Sequence, residues 1–363
     1  MLKIGNLESR YPVIQAGMGV RVGNAKLAAA TINSGGMGVI ASVGLGEDFE
    51  RSLKDYEIES EKSLAREIRM ARELTGGKGP LGVNIMVVLT NYGPMIKTAV
   101  DAGIDFIISG AGLPLRLPEF AGKDVPLIPV VSSGRALELI LKTWQRKYDV
   151  NPSAVIVEGP LCGGHLAFAE DQLKVPQEYS LDILYKGTIA MLKKYAIGKI
   201  PVLGAGAISV AEDVLKVLDM GYQGVQIGTR FICTEESGMS QEGKEFYAKS
   251  KSSDTVIISS PVGMPVRVIK SPLVERVMSG NKVPFACPYK CLRSCDKHKV
   301  LFCIARALIH AWKGDVDKGL FMTGYDLDRV NDIIPIKKFF DDLQSAAANY
   351  KSNKELEEVS PNS

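Results

Sequence analysis

The segment IPVLGAGAISVAEDVLKVLDMGYQGVQIGTRF, residues 200–231, contains one full repeat of the pattern that decides the fold. An apolar run (200–205) leads into an amphipathic stretch (209–221), and a second apolar run (224–228) follows. Because both runs are continuously apolar rather than alternating, they are typical of strands that are covered on both faces. The segment therefore predicts a strand, a crossover helix and a second, parallel strand.

The same alternation runs along most of the chain. Eight apolar runs are predicted to be strands: 12–16, 37–42, 81–88, 105–109, 126–131, 153–158, 200–205 and 224–228. Helix-like stretches lie between them: 24–36 with Asn24 as its N-cap, 61–74, 93–103, 133–147, 180–195 and 209–221. The stretch 112–121 is the weakest of these, because Pro114 and Pro118 interrupt it. Eight strands with intervening helices favour an α/β fold of the closed (β/α)8 TIM-barrel type over a doubly wound sheet.

The strand–helix rhythm stops after the eighth strand. We predict a barrel over 1–234, a small and mostly helical appended subdomain with clustered cysteines over 235–316, a return to the barrel over 317–348 and an unordered tail over 349–363. The helical face in 334–346 is expected to form the last barrel helix.

Composition excludes several classes of function. The chain has 363 residues, 46% hydrophobic and 23% charged, with a net charge of +3, so neither a nucleic-acid surface nor an anionic membrane surface is expected. No apolar run reaches the ~20 residues of a membrane span, and the N-terminus has no secretory apolar region. We expect a cytoplasmic protein whose six cysteines are reduced, metal-bound or catalytic. The expected partner is a small-molecule substrate, and a homodimer stays open.

Glycines follow the seventh and eighth predicted strands, in GAGAIS (204–209) and QIGTRF (226–231). In (β/α)8 barrels the loops after these two strands often bind a phosphate. Glycine lets backbone N–H groups approach an anion, a helix N-terminus adds a favourable field, and Thr229 supplies a hydroxyl. The alternative is that these glycines only end strands and tighten turns. Their occurrence at both strands favours a phosphate site.

Further polar or bare residues lie at other strand ends: Gln15 to Gly19, Asn84, Ser132, Ser133 and Glu158 to His165. All of them are expected to surround the ligand at one mouth of the barrel. Asn84, within an apolar strand, is either a structural amide with buried partners or a contact to a heteroaromatic ring. A phosphate joined to a large flat polar ring describes FMN. A barrel that binds another phosphorylated metabolite, without a flavin, is the alternative.

Seven stretches together carry a resemblance to a known family. They are PVIQAGMG (12–19), GVNIMV (82–87), PVVSS (129–133), EG…CGGH (158–165), PVLGAGAIS (201–209), GVQIGTRF (224–231) and DTV…GMPVRVIKSPL (254–273). The chain resembles the nitronate monooxygenase family, formerly 2-nitropropane dioxygenases, which includes the FMN-dependent enoyl-ACP reductases. The resemblance implies an FMN-bearing TIM barrel with a small helical insertion.

The resemblance also implies a set of site residues. Those expected at the flavin are Ala16, Gly17, Met18, Asn84, Ser132, Glu158, Gly163, Gly164, Gly206, Ala207, Gln226, Gly228 and Thr229. Within this set, Asn84 and Ser132 would touch the polar ring edge, and the residues from 206 onward would hold or approach the phosphate. His165 would stand over the reactive side of the ring as the catalytic residue. The loop before it departs from the family pattern at Pro160 to Cys162, and Tyr325 stands where glutamine is usual, so Cys162 and Tyr325 are candidate substrate contacts.

Two reactions are implied. A nitronate monooxygenase converts an alkyl nitronate to a carbonyl compound and nitrite with oxygen, and the alternative is reduction of an enoyl thioester with NAD(P)H. His165 would remove an α-proton, hold the anion as a cation or hydrogen-bond donor, or polarise a thioester carbonyl. The bland alternative for His165 is a loop residue that is hydrogen-bonded to the backbone.

Four cysteines, Cys287, Cys291, Cys295 and Cys303, lie in one short stretch with the spacing C-x3-C-x3-C-x7-C. A helix from Pro288 would keep the first three on nearly one face. Four thiolates can hold an iron–sulfur cluster or zinc, and His298 is a spare ligand, although the spacing matches none of the common ferredoxin or zinc-ribbon patterns. The alternative is a set of small, buried, reduced cysteines that pack the subdomain.

Overall fold

Eight parallel strands form the central sheet of the protein. The structure, a computed structural model, describes residues 1–46, 53–287 and 290–359, without the side chains of residues 53–54 and 351–359. The described strands are β1 (Leu2–Ile4), β2 (Leu7–Ser9), β3 (Val13–Gln15), β4 (Gly38–Ala41), β5 (Leu81–Met86), β6 (Phe106–Gly110), β7 (Leu127–Val131), β8 (Val155–Glu158), β9 (Gly164–His165), β10 (Val202–Ala205), β11 (Gly224–Ile227), β12 (Thr255–Ser259) and β13 (Pro265–Ile269).

The described helices surround this sheet and fill the segment after β11. They are α1 (Ala25–Asn33), α2 (Leu53–Thr75), α3 (Tyr92–Asp101), α4 (Leu117–Ala121), α5 (Gly134–Tyr148), α6 (Glu170–Leu173), α7 (Leu181–Lys194), α8 (Ala211–Asp219), α9 (Thr229–Ile232), α10 (Gln241–Lys249), α11 (Pro272–Met278), α12 (Ile304–Trp312) and α13 (Ile336–Val359). Two short 3-10 helices occupy Pro176–Tyr179 and Ser252–Asp254. No helix in the described ranges is long and apolar enough to cross a membrane.

The sheet closes into a barrel. Its strand order is β3-β11-β10-β8-β7-β6-β5-β4, with every pairing parallel. The two ends meet through a parallel bridge between Ile14 and Met37, in which Met37 N donates to the carbonyl of Val13 at 2.9 Å. Each of the eight predicted strand runs overlaps one barrel strand, so the predicted TIM barrel is confirmed.

Burial explains why the strand pattern is continuous rather than alternating. Every residue of β4, β6, β10 and β11 is buried, because side chains point into the barrel on one face and against the helices on the other. Asn24 caps α1 as predicted, its side chain accepting from Leu27 N at 3.1 Å. The weakest predicted helix is reduced to the five residues of α4, consistent with the two prolines in that stretch.

The segment after β11 combines helices with a β-hairpin that the sequence analysis did not predict. Strands β12 and β13 pair antiparallel, and β13 also pairs with β9, placing Val266 opposite His165. The predicted helix from Pro288 begins outside the described residues, and it is wrong for residues 290–303, which contain no helix. An isolated bridge between Leu89 and Leu292 ties this irregular stretch to the barrel.

The last helix, α13, packs on the barrel with Phe339 and Phe340 buried, as the apolar face in 334–346 predicts. Its helical backbone continues to Val359, into the range 349–363 for which an unordered tail is predicted. Residues 360–363 lie outside the described residues, and the predicted domain boundaries stay predictions.

Candidate active site

Two adjoining cavities open at the carboxyl ends of the barrel strands. We call the first the glycine-lined cavity. It is lined by all but one of the predicted flavin contacts: Ala16, Gly17, Met18, Asn84, Glu158, Gly163, Gly164, Gly206, Ala207, Gln226, Gly228 and Thr229. The second, the apolar cavity, holds Ser132 and His165 and shares Gly17, Asn84, Glu158, Gly163 and Gly164 with the first. The structure therefore brings the predicted set together around one mouth.

Two predicted residues of the mouth have structural roles instead. Gln15 is fully buried: its amide donates to the carbonyl of Val39 at 2.6 Å and accepts from Thr31 at 3.2 Å, and it lines neither cavity. Ser133 caps α5, its hydroxyl accepting from Ala136 N at 3.2 Å. Both side chains form their hydrogen bonds within the fold. The expectation that they surround a ligand is therefore wrong.

Glycine is required where backbone segments meet at the mouth. A Cβ added at Gly17 would lie 2.2 Å from Cβ of Asn84, so only glycine lets the end of β3 approach β5. After β10, Gly206 has φ +118° and Ala207 has φ +53°, which turns the chain tightly beneath the loop that carries Cys162. A cofactor can therefore reach the bare backbone on both sides of the cavity.

At the predicted phosphate end of the glycine-lined cavity, some backbone N–H groups already have hydrogen-bond partners within the protein. At the start of α8, Ser209 N and Val210 N both donate to the carboxylate of Asp213, at 3.0 and 3.2 Å. Thr229 Oγ1 accepts from Gly324 N at 2.8 Å, which leaves its O–H available to donate to an anion. The loop N–H groups near Gly206 and Gly228, together with Thr229, remain the predicted phosphate contacts.

Gln226 provides independent evidence that a ligand binds in the glycine-lined cavity. Its Oε1 is buried and has no hydrogen-bond partner among the described residues, although the side chain lines the glycine-lined cavity. An unsatisfied buried acceptor costs about 1–3 kcal/mol, so such groups are usually completed by a ligand or water. A heteroaromatic ring with an N–H group would satisfy it, which fits a flavin.

His165 stands in the apolar cavity on the short strand β9. Its Nε2 lies 2.9 Å from Oγ of Ser260, which also accepts from Val262 N at 3.2 Å. Burial lowers the pKa of His165 to about 4, so the imidazole is neutral near pH 7. The structure thus supports a neutral donor or acceptor, and it does not support the alternative of a cation. The imidazole of His165 is also hydrogen-bonded to a side chain, whereas the alternative reading expected a loop histidine that is hydrogen-bonded to the backbone.

Glu158, the last residue of β8, lines both cavities. Burial raises the pKa of its carboxyl group to about 7, because desolvation disfavours the charged form. Its side chain is partly accessible through the cavities. The site therefore contains a proton-holding group that titrates in the neutral range.

The loop that departs from the family pattern is held by Arg267 of β13. This buried guanidinium donates to the carbonyls of Pro160 and Cys162, at 3.0 and 3.2 Å. Cys162 lines the glycine-lined cavity, and burial raises the pKa of its thiol well above the usual range, so it is a neutral thiol. Tyr325 lines neither cavity: it is 47% exposed, and its ring lies 5.7 Å from the Arg267 guanidinium.

Sequence reasoning misses three contributors to the site. Ser260 and Gly324 lie far along the chain from the residues they contact, His165 and Thr229, and no sequence signal connects them. Arg267 falls within the matching stretch 254–273, and a lone charge in the apolar run VRVI was the available signal.

The four clustered cysteines line a separate cavity of about 510 Å³. Cys291 lies in its wall and also in the wall of the apolar cavity. His298, the predicted spare ligand, is exposed and does not line the cysteine cavity. Within residues 1–46, 53–287 and 290–359, no group of three or more His, Cys, Asp or Glu side chains is arranged to hold a metal ion.

A closed parallel barrel with a glycine-lined cavity at the carboxyl ends of its strands is the architecture of a TIM-barrel protein with its ligand site at the C-terminal mouth. The model of the nitronate monooxygenase family matches residues 2–345, and the chain belongs to that family. This confirms the family that the seven matching stretches indicate.

Individual relatives are distant. A Mycobacterium tuberculosis protein named (3aS,4S,5R,7aS)-5-hydroxy-7a-methyl-1-oxo-octahydro-1H-indene-4-carboxyl-CoA dehydrogenase is 28% identical over 75% of this chain, and the match spans just under two thirds (66%) of that relative. A probable nitronate monooxygenase from Staphylococcus aureus is 26% identical over 85% of this chain and 89% of its own length. The solved structure of FabK from Thermotoga maritima has a TM-score of 0.72 at 24% identity, covering 96% of this chain and 97% of that chain, and supports the fold.

Proposed function

We propose that the protein is an FMN-dependent oxidoreductase that reduces the α,β-double bond of an enoyl thioester with electrons from NAD(P)H. The observation that carries this proposal is the apolar cavity of about 340 Å³ beside the glycine-lined cavity. Its walls are mainly apolar and include Met86, Leu113, Val262, Met264 and Leu308. Such a cavity suits a hydrocarbon acyl chain.

The residues of the glycine-lined cavity fit FMN. The loops at Gly206 and Gly228, with the hydroxyl of Thr229, would hold the phosphate, and the unpartnered Oε1 of Gln226 would accept from a ring N–H. When bound, FMN supplies hydride transfer. The protein supplies orientation, a dry cavity and the groups that hold protons.

Charge in the apolar cavity also favours a neutral reacting group. No lysine or arginine is among the described residues that line it, and His165 is neutral near pH 7. With Ser260 donating to Nε2, the other nitrogen of His165 carries the proton and can donate to a thioester carbonyl. Glu158, with its pKa raised to about 7, can hold the proton that the α-carbon requires after hydride reaches the β-carbon.

Nitronate oxidation is the second candidate, because the Staphylococcus aureus relative that matches 85% of this chain is named a probable nitronate monooxygenase. In that reaction an anion would enter the apolar cavity, and its charge would be held by hydrogen bonds alone. Neutral His165 would then donate to the nitronate oxygen or accept the α-proton of a neutral nitroalkane.

The first experiment identifies the cofactor and the reducible partner. Cofactor released by heat from the purified protein is separated by chromatography against FMN, FAD and riboflavin, and FMN is expected. A colourless protein that FMN cannot reconstitute contradicts the flavin assignment and favours another phosphorylated ligand. The bound flavin is then reduced anaerobically with NADH, NADPH or an alkyl nitronate.

The second experiment varies the acyl chain. Burial of each methylene contributes about 0.8 kcal/mol, roughly fourfold, so kcat/KM should rise roughly 200-fold between the four-carbon and eight-carbon enoyl-CoA. Leu113→Trp narrows the apolar cavity and should remove most of this preference, whereas Leu139→Trp at an exposed position of α5 is the matched control. Rapid flavin reduction by nitronate with no enoyl-dependent reoxidation contradicts the proposal and supports nitronate oxidation.

A further inference from the structure

The four clustered cysteines are the chemical group that the proposed reaction does not use. Cys287, Cys291, Cys295 and Cys303 all line the same cavity, although up to sixteen positions separate them in the chain. Cys291 also has the other three close enough to influence it electrostatically. The fold therefore places all four cysteines in the wall of one cavity.

Core packing does not account for this arrangement. The other two cysteines of the chain, Cys162 and Cys233, are buried, as a cysteine that serves as a small apolar side chain usually is. The four clustered ones are only partly buried and face a cavity instead. Residues 290–303 contain no helix, so they are not packed as one face of a helix either.

Size and charge point to a polynuclear cluster. A single zinc ion sits about 2.3 Å from each of its sulfurs, whereas no three of the described His, Cys, Asp and Glu side chains are arranged around one metal ion. A cluster of several iron ions keeps its four thiolates further apart, which is compatible with four cysteines around one cavity. The spacing C-x3-C-x3-C-x7-C matches none of the common ferredoxin patterns, and it shares with plant-type iron–sulfur sites only the general order of three close cysteines and a more distant fourth. Three cationic residues line the cavity, Lys290, Arg293 and Lys297, against one acid, Asp296, which suits an anionic cluster held by four thiolates.

The cysteine cavity adjoins the candidate active site. Cys291, Leu292 and Ile304 line both it and the apolar cavity. The backbone around them is tied to the loop after β5: Thr90 N donates to the carbonyl of Cys291 at 3.1 Å, and Arg293 N donates to the carbonyl of Val88 at 2.9 Å. This loop directly follows β5, the strand that carries the predicted flavin contact Asn84.

We propose that Cys287, Cys291, Cys295 and Cys303 hold a four-iron, four-sulfur cluster whose binding completes the wall of the apolar cavity. The irregular segment 290–303 closes around the cluster, because ligand binding and local folding are coupled in such sites. The site stands on its own residues and does not depend on which substrate the barrel reduces.

The test uses the full chain purified and handled under strict exclusion of oxygen. Iron, acid-labile sulfide, zinc and flavin are measured on the same sample. We expect about four iron and about four sulfide per chain, and a paramagnetic resonance signal after reduction with dithionite. Sulfide and the resonance signal report on the cluster, and the flavin content reports separately on the barrel.

Single variants locate the ligands. Cys291→Ser and Cys295→Ser should lose most of the iron and sulfide, whereas Cys233→Ser, a buried cysteine outside the cavity, should keep both. Because Cys291 also contacts the barrel loop, Cys295→Ser is the variant that separates ligand loss from misfolding. Circular dichroism and flavin content should stay as in the unaltered protein.

Three outcomes overturn the proposal. One is stoichiometric zinc without sulfide, which would make the site a single-ion site. Another is protein that contains no metal even after anaerobic reconstitution with iron and sulfide. The third is iron that persists in both ligand variants.

Discussion

Replacing Glu158 by glutamine should stabilise the protein, and only above the acid range. Burial raises the pKa of this carboxyl group from 4.5 to about 7 in the folded chain. The native state therefore binds the proton more tightly than the unfolded chain, and ionisation opposes folding. The free energy of unfolding should fall as the pH rises from 4.5 to about 7, and the loss is complete above that range.

The size of the effect follows from the pKa difference. At about 1.4 kcal/mol per pKa unit, the ionised carboxylate destabilises the fold by about 3 kcal/mol at pH 8. Between pH 5 and pH 8 the Glu158→Gln variant, which cannot ionise, should gain about 2.5 kcal/mol relative to the unaltered protein. Water that reaches the side chain through the cavities makes this value an upper bound.

The measurement is urea unfolding of flavin-free protein at the two pH values, followed through the fluorescence of the fully buried Trp144. Glu73→Gln, an exposed position on α2, is the control and should show no comparable pH-dependent gain. A stability difference that is the same at pH 5 and pH 8, or a glutamine variant that is less stable at pH 8, would refute the reasoning about burial.

Three further predictions concern the mouth of the barrel. His165→Ala should keep its flavin but lower kcat at least about 100-fold, and unchanged turnover would make His165 a loop residue. Ser260→Ala, which removes the 2.9 Å contact to the imidazole and the acceptor of Val262 N, should lower kcat about tenfold. Arg267→Met should lower the free energy of unfolding by about 3 kcal/mol, because two carbonyls of the loop before His165 lose a charged donor, and a loss below about 0.5 kcal/mol in urea titrations would contradict this role. Gly17→Ala should abolish flavin binding, since its Cβ would lie 2.2 Å from Cβ of Asn84, and a full flavin content per chain would show that the two strands can separate without harm.

The barrel could be predicted from the sequence because each of its strands is identified by local composition. A run such as VLGA is apolar throughout because it is covered on both faces, and that property does not depend on which strand lies next to it. The mouth was predictable for a related reason. In a parallel barrel all strands end at the same rim, so residues as distant as Asn84 and Thr229 must face one cavity once the strand count is known.

Contacts between loops that are distant in the chain could not be predicted from the sequence. The pairing of β13 with β9 fixes the neighbourhood of His165, and it depends on a hairpin that forms about 90 positions later in the chain. Likewise, nothing in the local sequence distinguishes Gln15 from Gln226. The side-chain amide of Gln15 is hydrogen-bonded to Val39 and Thr31, whereas the side-chain oxygen of Gln226 has no partner among the described residues. Both are amides at strand ends, and only their surroundings separate a structural role from a binding role.

The sequence by itself determined the eight strands and the rim on which the site lies, because these depend on periodicity and on residue types at strand ends. The seven matching stretches, rather than periodicity, indicated the nitronate monooxygenase family. The tertiary structure decided the protonation state of the site. Glu158 and His165 have ordinary pKa values in an extended chain, and burial moves one up to about 7 and the other down to about 4. Desolvation is a property of the surrounding packing, which is why the chemistry of these two residues becomes visible only in the folded protein.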